Sequence, residues 1–286
     1  MRPTQITDQQ IREFITAGLY EDVRDGDHTS LSTIPADSRS HAVLKVKDYG
    51  VLAGVELAQH IFRHIDPSAT VTVHKTDGSD IFYGEIAFEV EANTRALLQA
   101  ERLVLNSMQR MSGIATLSSR FAFEVSDLPV KVLDTRKTTP LIRFLEKWAV
   151  NIGGCENYRW GLYDWIMIKD NHVDAAGGIR AAVERAQAYQ REKGLHLGIT
   201  VEVRNLVEVH ELLEVGGITR IMFDNFEIPI LAEAVATVGN RFETEASGGI
   251  TLNNVRKYAL TGVNYVSAGA LTHSAQPLDL SLKIKK

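Results

Sequence analysis

The stretch Asp134–His172, DTRKTTPLIRFLEKWAVNIGGCENYRWGLYDWIMIKDNH, decides how the rest of the chain is read. A short strand-prone run, Val130-Lys131-Val132-Leu133, leads into Asp134-Thr135-Arg136-Lys137-Thr138-Thr139. Leu141, Phe144, Leu145 and Trp148 then share one side of a helix that Gly153-Gly154 ends. A second apolar run, Trp165 to Ile168, leads into Lys169-Asp170-Asn171-His172. Two strand ends thus present charged side chains on either side of one helix. Short parallel strands with polar groups at their carboxyl ends are how α/β barrels and open α/β sheets build sites.

Working outward, the same alternation continues to the C-terminus. Val130–Leu133, Ile166–Ile168, Ile199–Val203, Arg220–Phe223, Phe242–Glu245 and Asn264–Ser267 read as strands. Helical spacings fall between the later ones, with Gly216 and Gly262 where helix C-caps belong. Repeated β-α units imply parallel strands with right-handed crossovers, and the lack of a dinucleotide fingerprint favours a barrel over a Rossmann sheet. Upstream, residues 1–112 form a separate α+β domain in this reading. It has an N-terminal helix around Ile11–Leu19, a polar loop over Glu21–Ser30, strands at Ala42–Val46, Val71–Lys75 and Ile86–Glu91, and a helix at Val55–Ile65. A long helix, Arg95–Met111, closes it, broken by Ser112-Gly113. Residues 113–275 make the barrel, and the alternating tail within 276–286 is expected to rejoin the first domain as a strand.

The 286 residues are 44% hydrophobic and 23% charged, an ordinary globular profile, and no window has the long uncharged run of a membrane helix. The net charge of −5 argues against a nucleic-acid surface. An N-terminus without an apolar signal core and a single cysteine, Cys155, point to the cytoplasm.

Each barrel strand ends in groups suited to chemistry: Arg136 and Lys137, then Lys169 and Asp170, then Glu202. Asp224-Asn225, Ser247-Gly248-Gly249 and Ala268-Gly269-Ala270 follow. The two glycine-bearing loops suit a phosphate, because their backbone N–H groups can approach an anion. Arg102, Arg136, Lys137, Arg159 and Lys169 imply a small polyanionic ligand, although Arg102 reads equally well as a surface ion-pair partner. Glu202 and Asp224 can hold a magnesium ion, directly or through water and sugar hydroxyls, or stabilise positive charge developing on a sugar ring. His60 and His64 lack a third zinc ligand, and Cys155 shows no activating base. His172 reads as orienting the Lys169–Asn171 turn.

These segments resemble the quinolinate phosphoribosyltransferase family. EDVRDGDHTS, ERLVLNSMQRMSGIAT, DTRKTTP, RFLEKWAV, IMIKDNH, VEV, DN, EASGGI and VSAGALTHS occur in the family's order across nearly the whole chain. The resemblance implies an N-terminal α+β domain followed by an incomplete parallel α/β barrel, the type II phosphoribosyltransferase-like architecture. It implies transfer of phosphoribose from 5-phosphoribosyl-1-pyrophosphate to quinolinate with decarboxylation, giving nicotinate mononucleotide, pyrophosphate and carbon dioxide in NAD biosynthesis. Mg2+ accompanies the pyrophosphate, with no tightly bound organic cofactor. Arg136, Thr138, Tyr158, Arg159 and Lys169 would bind substrate, with Lys137 beside the pyrophosphate and Lys137, Lys169, Glu202 and Asp224 as the catalytic set. Ser247, Gly248, Gly249, Ala268, Gly269 and Ala270 would cradle the 5-phosphate near His273. Arg102 would reach in from a partner subunit of a homodimer with shared sites, or of a higher oligomer.

The chain departs from the family pattern at four places. Tyr158 replaces the histidine of Asn-His-Arg, and Cys155 a third glycine. Leu141 replaces the glycine of Pro-Gly, which suggests a different turn. The Glu-Val-Glu of the third barrel strand keeps only its second acid, Glu202. A paralogue acting on another acidic heterocycle, or a non-catalytic phosphate-ligand sensor, are the competing readings.

Overall fold

The computed structural model describes residues 2–285. They form two compact units: residues up to Ser119 with Thr139–Gly154 and Ser274 onward, and Arg120–Thr138 with Cys155–His273.

The chain opens with α1 (Asp8–Val23) and α2 (His28–Thr33), so most of the segment expected as a polar loop is helical. Capping explains this: Thr7 accepts from Gln10 N, and Asp27 accepts from Ser30 N. There follow β1 (Arg39–Val46), β2 (Gly50–Val51), α3 (Val55–Ile65), β3 (Thr70–Val73), β4 (Asp80–Ile81) and β5 (Ile86–Asn93). Gly54 precedes α3 without a side-chain cap, and the half-buried carboxylate of Asp77 accepts from Val55 N and Glu56 N instead. Helix α4 (Thr94–Glu124) is continuous across Ser112-Gly113, where a break was expected. Gly113 serves close approach there: a Cβ on it would stand 2.0 Å from the carbonyl oxygen of Gln276.

Next come β6 (Lys131–Leu133), α5 (Arg143–Ile152), β7 (Ile166–Ile168), α6 (Asp170–Ala176) and α7 (Ile179–Lys193). Strands β8 (Ile199–Val203), β9 (Arg220–Asp224) and β10 (Glu243–Ser247) alternate with α8 (Leu206–Val215) and α9 (Ile228–Val238). Helix α10 (Val255–Ala259), β11 (Tyr265–Ser267), α11 (Ala270–His273) and β12 (Leu280–Ile284) complete the chain. Helix α5 was expected as the first crossover of the barrel, but it belongs to the first unit. Its Phe144 meets Phe14 of α1 edge-on at 5.5 Å, and its buried Glu146 pairs with Arg110 of α4 at 2.8 Å.

The first unit carries an antiparallel sheet in the order β12-β1-β5-β3. Its apolar face closes on α3, with Phe62 against Phe88 at 6.0 Å. The tail strand is held by backbone pairing, Leu44 opposite Leu282, and by Gln109 of α4, whose amide donates to Leu280 O at 3.1 Å.

The second unit carries six parallel strands in the order β6-β11-β10-β9-β8-β7. From β7 to β11 each strand adds beside its predecessor, and the first, β6, pairs with the last. First-beside-last is the connectivity of a barrel, and among the described residues the seam without ladder pairing lies between β6 and β7. The architecture is therefore an α+β domain followed along the chain by an incomplete parallel α/β barrel. Among the described residues no helix is long and apolar enough to cross a membrane.

Candidate active site

The carboxyl ends of the six strands gather the candidate residues of the second unit. At β6, Asp134 is fully buried, and its oxygens accept from Tyr158 N and Asn157 Nδ2 at 2.8 Å each. The segment Glu156–Arg159 is thus tied alongside β6, where Leu133 and Glu156 form an isolated parallel bridge. Beyond it, Arg136 and Lys137 are exposed and Thr138 is half-buried. Thr272 Oγ1 donates to Lys137 O at 2.8 Å, and a Cβ on Gly269 would stand 2.8 Å from Lys137 Cδ and 3.2 Å from the His273 ring. Lys137, Gly269 and His273 therefore share one place, and Ala270 opens α11 beside them.

At β7, the Lys169 ammonium donates to Glu202 Oε2 of β8 at 2.5 Å, and the carboxylate is 7% exposed. His172 Nδ1 accepts from Lys169 N at 3.0 Å, so its ring fixes the turn that delivers the lysine. At β9, Asp224 is half-buried and accepts from Asn225 Nδ2 at 2.7 Å. Asn225 sits at φ 55° with its N–H donating to Ser247 O, and it leaves no room for a side chain at Gly248: a Cβ there would be 2.2 Å from Asn225 Oδ1. Gly248 and Gly249 both have positive φ. The loop after β10 does not run straight into a helix. A turn intervenes before α10, and Asn254 closes it by accepting from Thr251 N and donating to Gly249 O.

Arg159 donates to Trp165 O at 3.3 Å. Burial, and then the like charge of Arg136, push its guanidinium below the usual arginine range. Among the described residues no carboxylate forms an ion pair with Arg136, Lys137 or Arg159, so this end of the barrel gathers cationic groups that an anion would satisfy. Tyr158 is buried, its hydroxyl hydrogen-bonded to Thr200 Oγ1 at 2.7 Å, and burial together with Glu245 pushes its phenol above the usual range. Thr200 occupies the position of the acid missing from the Glu-Val-Glu pattern. Two of the departures are therefore in direct contact.

Arg102 lies in the first unit, on α4, with an exposed side chain. Among the described residues no three His, Cys, Asp or Glu side chains cluster to hold a metal, and His60 meets only Glu56, at 4.0 Å. Cys155 is 3% exposed, and burial pushes its thiol up to about 12. Asp134, Thr200, Asn254 and Thr272 were given no role from sequence. One signal existed for Thr200: it lies two residues before Glu202, on the same face of a strand.

An open α/β barrel with cations at its first two strand ends, carboxylates at the next two and glycine loops at the last two defines a phosphoribosyltransferase-like enzyme. Residues 27–112 match quinolinate phosphoribosyl transferase, N-terminal domain, and residues 114–283 match quinolinate phosphoribosyl transferase, C-terminal domain. The chain is 44% identical to "Quinolinate phosphoribosyltransferase [decarboxylating] 1b" of Nicotiana tabacum, over 99% of this chain and 85% of that one. It is 39% identical to a probable nicotinate-nucleotide pyrophosphorylase [carboxylating] of Bacillus subtilis, over 96% and 93%. The crystal structure of NadC from Streptococcus pyogenes superposes with a TM-score of 0.92 at 34% identity, covering 99% of this chain and 100% of that one. The chain belongs to the quinolinate phosphoribosyltransferase family.

Proposed function

We infer that the protein transfers phosphoribose from 5-phosphoribosyl-1-pyrophosphate to quinolinate and decarboxylates the product, a pentosyltransferase step of NAD biosynthesis that yields nicotinate mononucleotide. The observation that carries the reading is the cationic strand-end set of Arg136, Lys137 and Arg159, beside the Lys169–Glu202 pair and opposite the glycine loops. Arg136, Arg159 and Lys169 suit the two ring carboxylates of the acceptor. Ser247–Gly249 and Ala268–Ala270, with Lys137 and His273 beside Gly269, suit the phosphates of the donor.

The chemistry follows from these charges. Cleavage of the bond from the anomeric carbon to pyrophosphate leaves an oxocarbenium-like ribose, and Glu202 and Asp224 supply negative charge on that side. The pyridine nitrogen attacks the anomeric carbon. The 2-carboxylate then leaves as carbon dioxide, its bonding electrons stabilised by the quaternised nitrogen, and a proton takes its place on the ring. Catalysis is mainly positioning and electrostatics. In the free protein Lys169 is held by Glu202, so an incoming acceptor carboxylate competes for the ammonium.

Magnesium fits this donor set as a partner of the substrate. Two carboxylates without a third protein ligand suit an ion that keeps phosphate oxygens and water in its shell. Glu202 and Asp224 would hold it, and it would neutralise the departing pyrophosphate. We assign Arg102 to the site of a partner subunit in a homodimer. The net charge of −5 argues against nucleic acid as a partner. The compartment proposed is the cytoplasm, on the single cysteine; several plant relatives carry "chloroplastic" or "mitochondrial" in their names.

The test is to incubate the protein with quinolinate, 5-phosphoribosyl-1-pyrophosphate and Mg2+ and follow nicotinate mononucleotide and carbon dioxide. Turnover that is lost in Lys169→Ala and Arg136→Ala is expected. Pyrophosphate release on nicotinate or another ring acid, with none on quinolinate, would overturn the choice of acceptor. Donor binding without turnover on any acceptor would make the protein a sensor.

A further inference from the structure

The candidate acceptor arginine, Arg159, has a placement problem. Arg136 repels it, Asp164 attracts it only weakly, and among the described residues no carboxylate forms an ion pair with it and its one hydrogen bond is to the backbone oxygen of Trp165. An arginine so placed keeps its position only if the backbone before it and the carbonyl it donates to are both held firmly. Both lead to one hydroxyl. Thr200 Oγ1 accepts from the indole Nε1–H of Trp165 at 2.9 Å and hydrogen-bonds the phenol of Tyr158, the residue before Arg159, at 2.7 Å. Thr200 is fully buried and Tyr158 nearly so.

The surroundings leave this group little freedom. The Trp165 ring lies against Gly198, where a Cβ would come within 2.3 Å of it. Trp165 and Tyr158 meet edge-on at 6.0 Å. Behind them, the Arg220 guanidinium sits 5.0 Å from the Tyr158 ring, 5.7 Å from Trp165 and 3.7 Å from Tyr265. Glu243 and the fully buried Glu245 pair with it at 2.9 and 3.0 Å. Burial alone would lower Arg220, but Glu245 and the other partners hold it above its usual range, so its charge is secure.

We propose that Thr200 and Tyr158 are positioning residues for acceptor recognition: with Trp165 and Arg220 they form a buried prop that holds Arg159 in place against Arg136 before a diacid arrives. The proposal rests on the reading of Arg159 as a carboxylate ligand. Among the described residues the prop reaches Gly198, Glu243, Glu245 and Tyr265, so it should govern the acceptor more than the donor. It also accounts for the joint departure at Tyr158 and Thr200, a neutral hydrogen-bonded couple whose two members depend on each other.

The test compares the unaltered protein with Thr200→Val, Tyr158→Phe, the double variant and Thr200→Ser. Steady-state KM is measured for each substrate, quinolinate binding by calorimetry without donor, and thermal stability for all. In Thr200→Val, KM and Kd for quinolinate should rise about ten- to a hundredfold, the scale on which misplacement of a positioning group is felt, while KM for 5-phosphoribosyl-1-pyrophosphate stays put. Thr200→Ser should restore both quinolinate constants, and Tyr158→Phe should add little on top of Thr200→Val because the pair acts as a unit. Unchanged quinolinate constants in a folded Thr200→Val protein would overturn the proposal, as would an equal rise in both KM values. No turnover in the unaltered protein would instead strike the functional reading, and the calorimetric comparison would still decide the prop.

Discussion

Leu141 holds its backbone at φ 68° with its side chain 95% exposed, a conformation natural to the glycine it replaces. Left-handed backbone costs a leucine roughly 1–2 kcal/mol, whereas a glycine at the same place gives up only about 0.4–1 kcal/mol through the freer unfolded chain. Leu141→Gly should therefore leave the urea midpoint unchanged or raise stability by up to about 1.6 kcal/mol. A clear loss would mean that the exposed side chain packs on something. At this scale the sequence showed the groups proposed to meet ligands, because Arg136, Lys137, Lys169, Glu202 and Asp224 are charged and stand at strand ends. It did not show the buried groups bonded beside them. Thr200 and Asp134 look like ordinary strand and loop residues until burial and hydrogen-bond partners are known.

Most strands were legible to within a residue or two, since short β-branched runs bounded by turn residues leave little choice, but β1 begins three residues early, at Arg39, and the two-residue β2 and β4 carried no pattern to read. Helix limits were less so. Ser112-Gly113 looks like a stop, yet α4 passes through it, because the glycine answers a long-range contact that no local pattern encodes. Gly113→Ala would drive a methyl into the Gln276 carbonyl and should cost about 1–3 kcal/mol, as overpacking does; urea denaturation reads this, and a neutral result would show that the tail moves aside. Within the second unit, Arg256 of α10 forks onto Asp127 at 2.7 and 2.8 Å and donates to Glu124 O at the end of α4. That hydrogen-bonded pairing lowers the Asp127 carboxyl from 3.8 to about 2. A lowered carboxylate stabilises the fold above its unfolded value, and the effect is lost as pH falls from near 3.8 toward about 2. Asp127→Asn should thus flatten the acid limb of the stability curve in that window and leave its shape near neutrality unchanged. Stability profiles of the two proteins that run parallel down to pH 2 would count against this pairing.

For the whole molecule, the order of elements along the chain hid one exchange between units. Helix α5 lies between two barrel strands in sequence yet packs with α1 and α4, since its apolar face and Glu146 find their partners there. Assembly can be tested by mixing two inactive proteins, Arg102→Ala and Lys169→Ala, after brief unfolding and refolding together. If each site takes Arg102 from one subunit and Lys169 from the other, random pairing restores about a quarter of the sites. No recovery would place both residues in the same subunit's site or remove Arg102 from it. The single cysteine offers a different kind of view. Cys155 lies next to the Glu156 bridge to edge strand β6, sealed from solvent, with its thiol pushed up to about 12. It is almost wholly protonated at neutral pH and inert to alkylating reagents while the structure is closed. Alkylation therefore reports excursions that expose Cys155, its rate giving the open population where reclosing outruns reaction, so the mass of the labelled chain over time is a clock for the molecule's own breathing.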